Sequence, residues 1–380
     1  MTKSCDLKGL QKLFFLHLGT TTSCCKAYSE PLTQYKDFDQ LTAHWNQEKN
    51  QLEQGTEIAS CNVCWKHEAQ GHQSYRQLKK LDNNDDQIEL YIDNTCNHMC
   101  SYCSPKFSSE WQNSIIKDGL FPKVSQSTNQ NFEIKSNSVD HQYWIDQIHQ
   151  YIQQQPANTV AVTLLGGEPL MQIKQLQKLV EFNSDRIKQL RITTNLNPPN
   201  NKFLIWLLEH VPSDRLHFYI SLDATPEFNH VPRAGFDQHK FLENLELIQK
   251  YQVSYQFLSV VSVLNIFDLP EFFSWAKLNH HIIQCHALNN PDCLDARLIP
   301  SQFKQQIDPT GLPNLVQDIL KPSDVLIDIK LFEQYNYLTE YFRRTHIDPT
   351  QTSNQLFGQY WKWLTERFTR SRQTDGNRSQ

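Results

Sequence analysis

Three thiols stand within eight residues in Cys96-Asn97-His98-Met99-Cys100-Ser101-Tyr102-Cys103, a C-x3-C-x2-C spacing that follows the extended run Leu90-Tyr91-Ile92-Asp93. Thiolates this close hold metal. An iron–sulfur cube normally takes four of them, so a loop supplying three leaves one iron open to another ligand. A zinc knuckle completed by His98 or by a remote cysteine is the other chemistry these residues allow. A second group, Gly166-Gly167-Glu168-Pro169, follows the apolar run Val160 to Leu165. Its glycines permit a sharp turn and close approach of a ligand, and Glu168 offers an anionic acceptor for an ammonium group. A third group is the adjacent pair Cys24-Cys25 with Cys61-Asn62-Val63-Cys64-Trp65. Four thiols in two local pairs can satisfy one metal site; structural zinc or simple burial of small apolar side chains are the alternatives.

The elements that must position these groups are legible in the patterning. From Gln87 onward, short β-branched runs alternate with amphipathic stretches, predicting strands over Ile88 to Asp93, Val160 to Leu165, Leu190 to Thr194, Leu216 to Leu222, Ser254 to Leu264 and His281 to Leu288. Helices are predicted over His141 to Gln154, Phe203 to His210, Asp237 to Tyr251 and Leu269 to Leu278, where apolar residues recur at three and four positions. Six βα units with chemistry at strand ends fit an α/β fold, a partial barrel of six units. Val124 to Asn137 reads as a flexible Ser/Asn/Gln segment, Phe14 to Thr22 as one extended run, Ser323 to Phe342 as helix and Ser371 to Gln380 as a frayed tail. The expected domains are 1–86, a Cys-rich region; 87–300, the partial barrel; and 301–380, a helical extension with a polar tail.

Composition narrows the function classes. The 380 residues carry 36 Lys plus Arg against 41 Asp plus Glu, a net charge of -5 without polybasic character, which points away from nucleic acid and from acidic membrane as partners. Leu13 to Leu18 is too short for a signal-peptide core, and no window approaches the roughly 18 apolar residues of a membrane span, so a cytoplasmic location is expected. In that reducing compartment the ten cysteines are expected to hold metal rather than a disulfide framework.

The cysteine triad and the Gly-Gly-Glu-Pro element, in this order and separated by one helix, resemble the radical S-adenosylmethionine superfamily. The resemblance implies a 4Fe-4S cluster on Cys96, Cys100 and Cys103, with S-adenosylmethionine chelating the open iron. Reductive cleavage would yield a 5'-deoxyadenosyl radical that abstracts hydrogen from substrate. It further places Tyr102 by the adenine, gives the cofactor's amino group to Gly166, Gly167 and Glu168, and assigns ribose or carboxylate contacts to Asn195 and Ser221, with Asp223 and Asn265 behind them. The Cys-x2-Cys-Trp stretch, followed by Glu68, Gly71, Ser74 and Arg76, resembles the twitch domains, shortened SPASM relatives that hold an auxiliary iron–sulfur cluster. Many twitch domains follow the barrel; these cysteines precede it. Cys24, Cys25, Cys61 and Cys64 are then the expected ligands of a second cluster, with Cys285 and Cys293 as substitutes. The implied partners are a low-potential donor such as flavodoxin or ferredoxin and a peptide or small-molecule substrate. An RNA-modifying relative and a zinc-stabilised binding scaffold are the alternative readings.

Overall fold

The computed structural model describes residues 5, 7–8, 10–78, 86–134, 139–288, 290–322 and 328–375, with 370–375 as helix backbone alone. Eleven strands run in chain order: β1 (Gln11–Phe15), β2 (Thr20–Thr22), β3 (Glu30–Pro31), β4 (Asp86–Tyr91), β5 (Met99–Cys100), β6 (Val160–Leu165), β7 (Ile187–Thr194), β8 (Leu216–Ser221), β9 (Arg233–Ala234), β10 (Ser254–Val261) and β11 (Ile283–Ala287). The chain forms two compact units, one of Met1–Thr95, Lys135–Thr193 and Asn200–Phe218, the other of Cys96–Ile134, Thr194–Pro199 and Tyr219–Gln380.

In the first unit the strand order is β3-β2-β1-β4-β6-β7. Strands β1, β4, β6 and β7 are parallel, and the β1–β2 and β2–β3 pairs are antiparallel. The run Val-Ala-Val-Thr-Leu-Leu buries four of its six residues in β6, the pattern of a strand covered on both faces. Helix His141–Gln154 forms where its apolar residues recur: Trp144, Ile145, Ile148 and Ile152 are buried, and Asp140 caps the start by accepting the Tyr143 N–H. In the second unit β10 and β11 are parallel, and the residue after β8, Leu222, donates its N–H to the Leu258 carbonyl. The remainder is largely helical, closing with Asp328–Thr345 and Gln355–Asp375. The expected α/β class, with mostly parallel strands, intervening helices and a helical carboxy-terminal part, is what the chain adopts, and it is consistent with a partial barrel.

Several boundaries differ for identifiable reasons. The Phe14 to Thr22 run is broken by the turn Leu16–Leu18 and by Gly19 at φ 65°, which reverses the chain so that β2 returns antiparallel on β1. The first core strand ends at Tyr91 rather than Asp93, because the Asp93 carboxylate accepts the Thr95 N–H and the Gln172 amide. Strand β10 stops at Val261, where Asn265 Oδ1 accepts the Ser262 N–H. The Val124 to Asn137 segment contains helix Gln126–Gln130, capped by Ser125 and fastened by Glu333, which accepts from the Ser125 N–H, the Ser125 hydroxyl and the Thr128 hydroxyl. Its last three residues lie outside the described chain, as do 323–327 of the Ser323 helix and 376–380 of the tail. The rest of that tail, 371–375, is helix.

Candidate functional site

The thiol loop of the second unit is held along its backbone. Strand β5 pairs antiparallel with β9, setting Cys100 opposite Arg233, and the Ser101 N–H donates to the Pro232 carbonyl. Each carbonyl from Cys96 to Ser101 that matters to the loop's path has a donor: Ser109 Oγ on Cys96 at 3.0 Å, Ser108 Oγ on His98 at 2.7 Å, Trp111 Nε1 on Cys100 at 2.9 Å and Tyr337 Oη on Ser101 at 2.6 Å. Gly235 lies so close that a Cβ there would meet the Asn97 carbonyl at 2.6 Å. Such pinning fixes the path of the loop through its backbone, and Cys103 Sγ donates to the Ser104 carbonyl at 3.8 Å. Cys96 and Cys100 are buried and Cys103 half-buried.

Among the described residues, Glu30, His44 and Glu48 form a group of three ligating side chains whose donor atoms all lie within 4.8 Å of one another. Burial, then the neighbouring Cys100, pushes the Cys103 thiol up to about 12. Burial, then the Arg233 charge, lowers His98 to about 3 and keeps it neutral.

Beside this loop the Tyr102 hydroxyl donates to Asp223 Oδ2 at 2.7 Å, and Arg233 Nη1 reaches both groups, 3.2 Å from the carboxylate. Asp223 and Arg233 are buried and Tyr102 is half-buried, and Arg233 Nε has no hydrogen-bond partner among the described residues. Sequence reasoning had Tyr102 and Asp223 but missed Arg233, which only the β5–β9 pairing brings to the loop. Asp223 also accepts the Val260 N–H, and the Asn265 amide donates to the Asp223 and Val260 carbonyls. Asn195 donates to Asn97 Oδ1 and accepts the Asn197 N–H, while Ser221 is half-buried at the end of β8.

In the first unit the Gly166-Gly167-Glu168 turn approaches the end of β4. Both glycines have positive φ, 80° and 55°, and a Cβ on Gly167 would stand 2.4 Å from the Thr95 carbonyl. The Glu168 N–H donates to that carbonyl at 2.7 Å, and the buried Glu168 carboxylate accepts the Leu170 N–H. Gln172, which spacing did not flag, ties the two strand ends by donating to Asp93 Oδ1 and the Gly166 carbonyl.

The amino-terminal cysteines also lie in this unit. Cys24 and Cys61 are buried in one apolar cluster with Cys5, Leu7, Leu52 and Ile58, against which Trp65 and Tyr75 pack. Cys64, in the first turn of helix Asn62–Ala69, is buried too; Cys25 is exposed. The residues after Cys64 form a brace: Trp65 Nε1 donates to the Ile58 carbonyl, Arg76 lies 4.6 Å over the indole, and Glu68 holds Arg76 and the Ser74 hydroxyl. Cys285 and Cys293 belong to the second unit, apart from this set in the chain's division, with Cys293 fully buried.

Residues 90–276 match the model of the Radical SAM superfamily. No curated protein sequence matches the chain. Among solved structures, the chain is similar to native anSMEcpe with bound AdoMet, at 17% identity and TM-score 0.38 over 67% of this chain and 59% of that one. It is similar to Streptococcus suis SuiB bound to S-adenosylmethionine, at 12% identity and TM-score 0.39 over 82% and 56%. It is also similar to Streptococcus suis SuiB bound to precursor peptide SuiA, at 14% identity and TM-score 0.35 over 69% and 47%. The chain spans about half to three fifths of these structures' own lengths.

Proposed function

We propose that the chain, which carries a Radical SAM superfamily domain over residues 90–276, cleaves S-adenosylmethionine reductively and abstracts hydrogen from a peptide or small-molecule substrate. The observation that carries this reading is the loop of three thiols within the matched residues, anchored through its backbone carbonyls. Cys96, Cys100 and Cys103 would hold a 4Fe-4S cluster, which when bound supplies the electron that breaks the sulfonium bond. Glu168 would accept the cofactor's ammonium, with Gly166 and Gly167 leaving room for its approach. Tyr102, Asn195 and Ser221 would border the nucleoside. In this reading 1–86 is a twitch-like auxiliary region, 87–300 the radical core and 301–380 a helical extension. Flavodoxin or ferredoxin is the electron donor we assign, and the twitch resemblance favours a peptide substrate.

The test is anaerobic incubation of reconstituted protein with reductant and S-adenosylmethionine, followed by quantification of 5'-deoxyadenosine. Replacing any one of Cys96, Cys100 or Cys103 by Ala should abolish its formation, because the open iron needs all three thiolates. Undiminished cleavage in one of these variants would refute the assignment, and stoichiometric zinc in place of iron in the wild type would favour a binding scaffold.

A further inference from the structure

We infer that Glu30, His44 and Glu48 form a site in the first unit for one divalent cation that takes oxygen and nitrogen donors. Helix Phe38–Glu53 starts at Asp37, whose carboxylate accepts the Gln40 N–H, and it buries Phe38, Leu41, Trp45, Glu48 and Leu52. Those positions make one apolar stripe with a carboxylate set into it. His44 stands four residues before Glu48 on the same side of the helix, so its imidazole and the carboxylate can meet one ion. Glu30 comes from β3, and its Oε1 lies 3.3 Å from His44 Nε2. One ligand atom from each of the three residues lies within 4.8 Å of the other two. Neighbouring ligands on a first-row dication, each about 2.1 Å from the metal, are about 3.0 to 3.4 Å apart, so small side-chain rotations close the group on an ion.

A hydrogen bond from His44 to Glu30 accounts for the 3.3 Å contact but not for the second carboxylate beside it. Three observations favour a cation. First, Glu48 is only 9% exposed, and two carboxylates converging on one ring repel unless positive charge lies between them. Lys8, itself buried, places its Nζ 2.6 Å from Glu48 Oε2, yet off the direction of a hydrogen bond, so that Oε2 has no hydrogen-bond partner among the described residues. Second, hydroxyls hold the other oxygens: Tyr35 donates to Glu30 Oε2 and Ser60 to Glu48 Oε1, both at 2.5 Å. Outer partners of this kind orient carboxylates that bind metal. Third, the three residues line an open cleft of about 510 Å³ together with Tyr28, Glu57 and Ser60, which leaves room for water in the remaining coordination positions. Glu30, Glu48 and Glu57 set against Lys8 leave two negative charges in excess there, the number a dication neutralises.

The site does not depend on the radical-enzyme reading, and its test needs no turnover. The full chain, stripped of loosely held metal with a chelator that is then dialysed away, is titrated with Mn²⁺, a probe that prefers carboxylate and imidazole to thiolate and so avoids the cysteines. Loss of the free-ion EPR signal should show one bound Mn²⁺ per chain, and electron spin-echo modulation of the bound ion should show one coupled nitrogen, from His44. His44→Gln should abolish that coupling, and Glu30→Gln should weaken binding about a hundredfold. Tyr35→Phe removes only the hydroxyl on Glu30 Oε2 and should weaken binding about tenfold. This last variant alters no ligand atom, so it decides should either of the others fail to fold by circular dichroism. Unchanged affinity in Tyr35→Phe or Glu30→Gln, or nitrogen coupling that survives His44→Gln, would overturn the ligand set. No Mn²⁺ bound at millimolar concentration, or an ion bound without nitrogen coupling, would overturn the site itself.

Discussion

Glu168 is fully buried, and its carboxylate accepts the Leu170 N–H. The role proposed for it is to accept the ammonium group of the cofactor. Exchanging it for Gln keeps the acceptor for Leu170 and removes the charge. Glu168→Gln should therefore weaken S-adenosylmethionine binding about tenfold or more, as a charge-assisted hydrogen bond becomes a neutral one, while the iron content stays unchanged. Equilibrium binding and iron analysis on the same sample check this; iron loss with unaltered affinity would count against the role. At this scale Arg233 is the instructive omission. Nothing within several residues of it signals chemistry, and its place beside Tyr102 and Asp223 comes from a two-residue strand pairing that spacing cannot show.

Turns and strand ends do the positioning. Gly167 and Gly55 both have positive φ, 55° and 86°, but a Cβ on Gly55 meets nothing within 4 Å whereas one on Gly167 meets the Thr95 carbonyl at 2.4 Å. Gly55→Ala should cost about 1 kcal/mol, the price of a left-handed alanine, and Gly167→Ala distinctly more because backbone must move as well. Urea unfolding of both variants tests the difference; equal midpoints would show that the close approach is not strained. Regular elements were largely legible from sequence. Helix His141–Gln154 and strand Val160–Leu165 follow from periodicity and from an uninterrupted apolar run, with the bounds expected of them. What periodicity could not reach were ends set by individual polar side chains: Asn265 stopping β10 and Asp93 stopping β4 from a few residues on, and Glu333 fastening a helix start some two hundred residues earlier in the chain. The thiol loop was legible because its three cysteines are local in the sequence. The packing of Cys5 with Cys24 and Cys61 was not, because those residues are far apart in the chain with no fixed spacing.

Across the whole molecule, one buried acid should leave a mark on the pH dependence of stability. Burial raises the Asp268 carboxyl to about 6 from its ordinary 3.8, against the opposing Thr225 N–H and hydroxyl. A carboxyl whose folded value is the higher one holds its proton more tightly in the folded state. Its contribution is full below about pH 4 and is lost as the pH rises through about 6. Asp268→Asn keeps an acceptor and removes the titration. The stability difference between wild type and variant should shift by up to about 3 kcal/mol between about pH 4 and about pH 7, in the variant's favour at the higher pH. Denaturant unfolding at both pH values measures it, and a constant difference would show that Asp268 does not titrate there.

The contact from Tyr337 to the Ser101 carbonyl spans 236 positions of chain, and the Tyr341 hydroxyl donates to the Val231 carbonyl and accepts the N–H of Ala234 on the strand that pairs with the thiol loop. A ribosome adding about 5 to 20 residues per second needs roughly 10 to 50 s to travel that distance. During that interval the three thiols have emerged but the helix that pins their backbone has not been made. On the proposed reading, iron delivered before that helix exists would meet a loop whose Ser101 carbonyl has no Tyr337 to hold it.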